Sequence, residues 1–223
     1  MGNQVSNEAA SSLLKYINDG GPLIMWTLVA LFIIGVAITI WRLIIIFIAM
    51  SNTKSLYEKV YTALSDKENG IEKASEICSK TPGPAATIIH AGLSRIHKGI
   101  DHVEKAVESA GSIEMSFLEN GLVWLATIAN VAPLIGFFGT VVGMILSFRS
   151  IAEAGEVEPS IVAGGISMAL ITTAGGLLVA IPIHMAHNLC VYLIERIVVS
   201  MEENASKFID TLVDMGYDSS DVH

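Results

Sequence analysis

The chain has 223 residues, 52% of them hydrophobic, and a formal net charge of -9 at pH 7. It is too apolar for an ordinary soluble domain and too short for a large transporter built from internal repeats, so its composition predicts one integral membrane unit. Its 13 Lys and Arg residues are scattered singly, which argues against nucleic-acid binding.

The N-terminal part predicts a short surface helix followed by a membrane span. In residues 1–19 four apolar side chains fall on one helical face, which is typical of an interfacial helix. Residues 20–51 predict transmembrane helix 1, because they are bulky and apolar on every side. Trp26 and Trp41 lie roughly 22 Å apart along such a helix, and we expect Arg42 to extend toward the interface beside Trp41.

Residues 52–119 are polar, with helical periodicity, and carry eight of the chain's Lys and Arg residues. By the positive-inside rule this segment is a cytoplasmic helical loop, while residues 1–19 and the short turn at 149–160 face outward. The predicted topology therefore has three spans, with the N-terminus outside and the C-terminus inside.

Residues 120–148 and 161–194 predict transmembrane helices 2 and 3, since neither Gly121 to Phe148 nor Ile161 to Ile194 contains a charged residue. Both runs are longer than a bilayer needs. Residues 195–223 predict a cytoplasmic C-terminal helix and tail, because the apolar positions after the last span continue a seven-residue repeat that suits packing against other helices: Ile194, Val198, Met201, Ala205, Phe208, Leu212 and Met215.

A stripe of small and hydroxyl residues runs along each later span. In helix 2 it comprises Ala129, Pro133, Gly136, Thr140, Gly143 and Ser147. In helix 3, Thr172 and Thr173 lie midway along the span, with Ala169 and Gly176 one turn to either side. Such stripes allow close helix packing, within one chain or between copies. Hydroxyls at matching depth also suit the wall of an ion pathway through Thr140, Thr172 and Thr173. No span contains a carboxylate, so a titrating group would come from another chain.

Two histidines, His184 and His187, follow Pro182 near the end of the last span. They either hydrogen-bond between helices or form a wet cytoplasmic exit for ions, and without a third ligand they do not predict a metal site. The sequence contains no Walker loop, nucleophile elbow or His/Cys cluster, so we expect no enzyme activity, no cofactor and no resident metal. Cys78 and Cys190 are expected to be free thiols.

The run from Leu125 to Met144, LATIANVAPLIGFFGTVVGM, closely resembles the signature of the MotA/TolQ/ExbB family of ion-channel proteins. The stretch from Gly165 to Gly176, GISMALITTAGG, with Ala180-Ile181-Pro182, is similar to the family's last span. Three spans with a large loop after the first resemble the ExbB and TolQ branch.

The resemblance implies an all-α fold in the bacterial inner membrane, with two long helices extending into a cytoplasmic helical domain and a periplasmic N-terminus. It implies a homopentamer around single-span partner helices of the ExbD or TolR type, which carry a membrane Asp. Thr140 and Thr173 match the family's pore threonines, and Pro182 and Asn188 match positions beyond them. The chain departs from the family at Met168, where several proton-driven members have Glu, and at His187, where many have Tyr.

The expected function is therefore that of the channel subunit of an ion-driven motor that acts on cell-envelope proteins, with a structural membrane scaffold as the alternative. We expect the small-residue faces of both later spans to line the pore. Protons are the expected ion, and sodium is the alternative because Thr172 adds a hydroxyl ligand. The client, whether TonB-like, TolA-like or of a gliding or secretion system, is left open.

Overall fold

The computed structural model describes residues 15–51, 53–64, 69–155 and 159–216, and all regular structure in these ranges is helical. The helices are α1 (Pro22–Ser51), α2 (Thr53–Leu64), α3 (Gly70–Lys80), α4 (Pro84–Leu93), a short 3-10 helix (Ile96–Lys98), α5 (Ile100–Glu119), α6 (Leu122–Ala154) and α7 (Pro159–Asp214). Residues 15–19 are also helical. The rest of the predicted interfacial helix, and the acidic tail from Tyr217, lie outside the described residues.

Three stretches are long and apolar enough to cross a membrane, and they contain α1, α6 and most of α7. An all-helical fold with three candidate spans is therefore confirmed. The last helix is continuous for 56 residues, so it extends well beyond the uncharged run that ends at Ile194.

The predicted turn at 149–160 begins too early. Helix α6 continues to Ala154, and Gly155 follows it with a φ of 70°, a left-handed conformation that ends helices and that glycine adopts without strain. No Gly or Pro occurs between Arg149 and Ala154, so nothing in the sequence stops the helix before Gly155.

The chain divides into two compact units, which contain the described residues of Met1–Ile40 with Gly121–Asn188 and of Trp41–Asn120 with Leu189–His223. We call them the span unit and the loop unit.

The loop unit has a core of large apolar side chains. Phe208 of α7 is 1% exposed, and a methyl group added at Gly92 of α4 would lie 2.8 Å from its ring and 2.8 Å from Val107 of α5. The predicted repeat along α7 is buried at Ile194, Met201, Phe208 and Leu212, whereas Met215 is 40% exposed. Most of the repeat therefore packs inside the chain.

Arg42 does not extend to an interface. It is 2% exposed, and its guanidinium donates a hydrogen bond to the carbonyl oxygen of Leu118 near the end of α5. The last carbonyls of a helix have no intrahelical donor and carry partial negative charge, and α5 has no basic residue in its last turn. Arg42 supplies both the donor and the positive charge.

Candidate ion pathway

In the span unit, α6 and α7 approach closely along glycines. A methyl group added at Gly136 would lie 2.9 Å from the carbonyl oxygen of Thr172, and one at Gly143 would lie 2.6 Å from that of Gly165. From the other helix, a methyl group at Gly176 would lie 2.7 Å from the carbonyl oxygen of Ala132. Any side chain larger than hydrogen at these positions would push the helices apart.

The small-residue stripe of α6 therefore has α7 against it. Four of its predicted members, Ala129, Gly136, Gly143 and Ser147, are buried, and so are the neighbouring residues Ala132 and Gly139. Pro133 and Thr140, predicted as members of the same stripe, are only partly buried, because they lie one helical position to the side of Ala132 and Gly139.

The expectation that this stripe lines a pore needs correction for its buried residues. Gly136, Gly143 and Ser147 of α6, together with Ala169 and Gly176 of α7, are buried where the two helices pack inside one chain, and Ala129 of α6 is also buried. For these residues the structure shows close helix packing within one chain, which was the alternative to a pore lining. Of the predicted stripe on α6, this packing leaves Pro133 and Thr140 partly exposed.

Thr172 belongs to the packed interface. It is fully buried, it faces the position of the missing side chain at Gly139, and its hydroxyl lies within hydrogen-bonding distance of the carbonyl oxygens of Met168 (3.1 Å) and Ala169 (2.9 Å). Its hydroxyl therefore does not reach the surface of the helix pair.

Helix α1 covers one side of α7. Methyl groups added at Gly20 and Gly175 would meet Ile171 and Met25, respectively, at 2.8 and 3.2 Å, and Met168 lies against Gly21. Thr173 is two residues from both Ile171 and Gly175, and two residues on a helix turn through roughly 200°. Thr173 therefore points away from α1.

Thr140 and Thr173 are partly buried, at the edge of the α6/α7 interface. Each hydroxyl donates to a carbonyl of its own helix, Thr140 to Phe137 at 2.6 Å and Thr173 to Ala169 at 3.1 Å. A hydroxyl has one proton to donate and two lone pairs that accept. Both threonines therefore act outward as hydrogen-bond acceptors, which suits a protonated acid, a hydronium ion or a metal cation.

Asn130 is a further polar residue on α6 that the sequence analysis did not single out. Its side chain is exposed and makes no hydrogen bond to the described part of the chain. An unpaired carboxamide facing lipid is costly. The sequence alone could have identified this residue, because Asn130 is the only Asn or Gln between Gly121 and Phe148.

The two histidines of α7 lie on successive turns, with ring centroids 6.3 Å apart and ring planes at 19°. His184 is exposed and His187 partly so, and Nδ1 of His187 is 3.2 Å from the side-chain oxygen of Asn188. Among the described residues no cluster of three metal-ligating side chains occurs.

These features define a class: a helical membrane protein with polar residues on the open faces of two closely packed spans. The sequence profile of the MotA/TolQ/ExbB proton channel family matches residues 80–203. The chain belongs to this family.

Relatives from several bacteria are similar over most of the chain. The Tol-Pal system protein TolQ of Pseudomonas aeruginosa is 33% identical over 203 residues, which cover 83% of this chain and 84% of that protein. TolQ of Haemophilus influenzae is 33% identical over 152 residues, covering 68% of this chain but only 65% of that protein. The biopolymer transport protein ExbB of Xanthomonas campestris is 32% identical over 189 residues, covering 77% of this chain and 74% of that protein.

Proposed function

We propose that this chain is the channel subunit of an ExbB/TolQ-type motor in a bacterial inner membrane. It uses the proton-motive force to do mechanical work on cell-envelope proteins. Membership of the proton channel family and the likeness to TolQ and ExbB proteins support this assignment. The excess of Lys and Arg in residues 52–119 supports a cytoplasmic loop unit and a periplasmic N-terminus.

One observation carries the proposal: the acceptor hydroxyls of Thr140 and Thr173 lie on helix faces that other residues of the chain leave partly open, and Thr173 points away from α1. We assign the ion pathway to this open face. Asn130 and His184 are exposed on the same two helices and extend the polar surface toward the cytoplasmic end.

The titrating acid comes from a partner. The runs 121–148 and 161–194 contain no Asp or Glu, so the chain supplies acceptors but no group that stores a proton. A single-span ExbD- or TolR-like helix with a membrane Asp would complete the site. Hydroxyl acceptors at Thr140 and Thr173 would stabilise that Asp in its protonated, neutral form, since only the protonated acid can donate to them. Five copies of the chain around such helices form the proposed assembly, with a TonB- or TolA-like client.

Protons are the proposed ion. The sodium alternative required hydroxyl oxygens from Thr140, Thr172 and Thr173, but the Thr172 hydroxyl is buried against Gly139 and held by its own helix. Two threonines with one carboxylate make a poor replacement for the water shell of sodium. Activity that is independent of external sodium and collapses with a protonophore supports protons. A sodium requirement at fixed pH would reverse this choice.

The structural scaffold remains the competing function, because intrachain packing accounts for the small-residue stripes without any ion. Proteoliposomes containing the chain and its partner separate the two. The motor predicts proton influx when a pH gradient is imposed, together with a ring of five chains by native mass spectrometry. Absence of proton influx under the imposed pH gradient would support the structural scaffold.

A matched pair of variants tests the pathway on α6. Thr140→Val removes the outward acceptor and should lower proton influx at least tenfold, with assembly intact. Thr127→Val removes a hydroxyl that is bonded in the same manner, to the carbonyl of Val123 on an exposed part of α6, and should leave influx unchanged. Equal influx in the two variants would contradict the assignment of Thr140.

A further inference from the structure

Helices α4, α5 and α7 of the loop unit surround a small apolar cavity of about 260 Å³. Its floor is formed by the buried side chains of Ile88, Val107 and Met201, one from each helix. The cavity opens to the surface beside the exposed side chains of Glu108 and Glu202, which we call its rim. A closed apolar cavity of about 150 Å³ can hold a benzene ring, so this one has room for a large apolar side chain.

Both charged residues of the rim are acidic. Neither Glu108 nor Glu202 forms an ion pair with another residue that the structure describes, and no Lys or Arg lines the cavity. An occupant with Lys or Arg beside its apolar group would therefore match the rim in charge, which favours the correct orientation of binding. The acyl chain of an anionic lipid would instead bring further negative charge to the rim.

The cavity lies close to the end of the last span. Val198, on its α7 wall, follows the uncharged run that ends at Ile194 by about one helical turn, roughly 6 Å. The next step rests on the proposed function, in which the loop unit is cytoplasmic. Cytoplasmic segments next to membrane spans carry an excess of Lys and Arg. We therefore expect a membrane partner of this chain to present basic residues at the height of the cavity.

We propose that this cavity is the docking site for the basic cytoplasmic helix that adjoins the span of the single-span partner. One large apolar side chain of the partner fills the cavity, and Lys or Arg side chains one turn away pair with Glu108 and Glu202. Helices commonly bind to grooves in this way, through apolar anchors on one face. The buried anchor supplies most of the affinity, and the exposed ion pairs make binding depend on salt.

A second copy of this chain matches the rim poorly. The exposed apolar residues Ile113 and Phe117 of α5 have Glu114 and Glu119 beside them. The exposed Val199 of α7 lies within one turn of three glutamates and a single arginine. Each of these surfaces would bring carboxylates to a rim that is already acidic, and like charges in contact oppose association.

Gly111, on the α5 wall of the cavity, provides a variant that fills it. A methyl group added at Gly111 would lie 3.9 Å from Cδ1 of Ile88, an ordinary contact distance, so a larger side chain can enter the cavity without a clash. Ser109→Leu is the control, because Ser109 is exposed on α5 and does not line the cavity. Gly111→Leu should keep the unfolding temperature of the parent or raise it, since leucine favours helix over glycine.

Binding is measured with the full chain in nonionic detergent, by fluorescence anisotropy of a labelled synthetic helix with one Phe and a Lys one turn to either side. Gly111→Leu should weaken binding at least tenfold, and Ser109→Leu should leave it unchanged. Glu202→Lys should also weaken binding at least tenfold, whereas Glu203→Lys, next to the rim but outside the cavity, should change it less than twofold. Equal affinities within either pair, or no binding by the parent, would overturn the docking site.

The identity of the occupant is tested in membranes that contain the chain and its partner. A photoreactive benzoylphenylalanine in place of Ser112, which lines the cavity, should cross-link to the partner within about 15 residues of its span. The same group in place of Ser109 should not. Cross-links from position 112 to a second copy of the chain or to lipid, or no cross-link at all, would contradict the proposed occupant. Cross-linking to the partner without any proton influx would contradict the proposed motor and leave the docking site standing.

Discussion

The two units of this chain are held together by opposite kinds of side chain. In the span unit, α6 and α7 meet through glycine, alanine and serine, and backbone approaches backbone. In the loop unit, α4, α5 and α7 meet through Phe208, Val107 and other large apolar groups. In water, the hydrophobic effect drives the burial of large apolar side chains. Lipid is as apolar as these side chains, so helices in lipid are stabilised mainly by the van der Waals contacts that small residues allow. A different kind of substitution should therefore destabilise each unit.

The largest effect is expected in the loop unit. Phe208→Ala removes a ring that is 1% exposed and should lower the free energy of unfolding by about 3–5 kcal/mol. Thermal unfolding followed by circular dichroism in detergent measures the change. Val213→Ala is the control, because Val213 lies on the same helix and is 42% exposed. Similar losses in both variants would mean that Phe208 is not a core residue.

A larger side chain at the contact between α6 and α7 should destabilise the span unit. Gly139→Ala places a methyl group against Thr172 and should destabilise the helix pair by about 1–3 kcal/mol. Gly164→Ala makes the same change on α7 where nothing lies within 4 Å, and it should be neutral or slightly stabilising, since alanine favours helix. If both variants unfold at the parent temperature, close packing at Gly139 is not required.

A smaller effect concerns pH and Cys78 in α3. Burial raises the pKa of this thiol to about 11, from an ordinary value of 9.0. The folded state then holds its proton more tightly than the unfolded state, so this contribution to stability is complete below pH 9 and is lost as the pH rises toward 11. Cys78→Ala should have a shallower loss of stability between pH 9 and 11. Identical slopes would show that Cys78 is solvated.

Much of this architecture could be predicted from the sequence because its signals are local. Uncharged runs located the spans, and the repeat at Ile194, Met201 and Phe208 indicated a helix that continues past the membrane. The boundary at Ala154 was missed because helical propensity continued past the last charge-free residue until Gly155 ended the helix.

The site was harder to predict, since a stripe of small residues does not indicate what packs against it. Gly136 and Gly143 could have faced a partner, yet they face α7. Adjacent threonines have the same chemistry in the sequence, and only tertiary packing separates buried Thr172 from Thr173 at the edge. Arg42 was placed at an interface for the same reason, because its acceptor on Leu118 lies far along the chain.

The central claim is that ions pass along the open face of α7 and not through its packed interface. Neighbouring threonines test it most directly, by proton influx into proteoliposomes that contain the channel chain with its partner. Thr173→Val should abolish influx while the assembly stays intact. Thr172→Val should keep influx near the parent level and lose only about 1 kcal/mol of stability. Full influx in Thr173→Val, or its loss in Thr172→Val alone, would contradict the assignment.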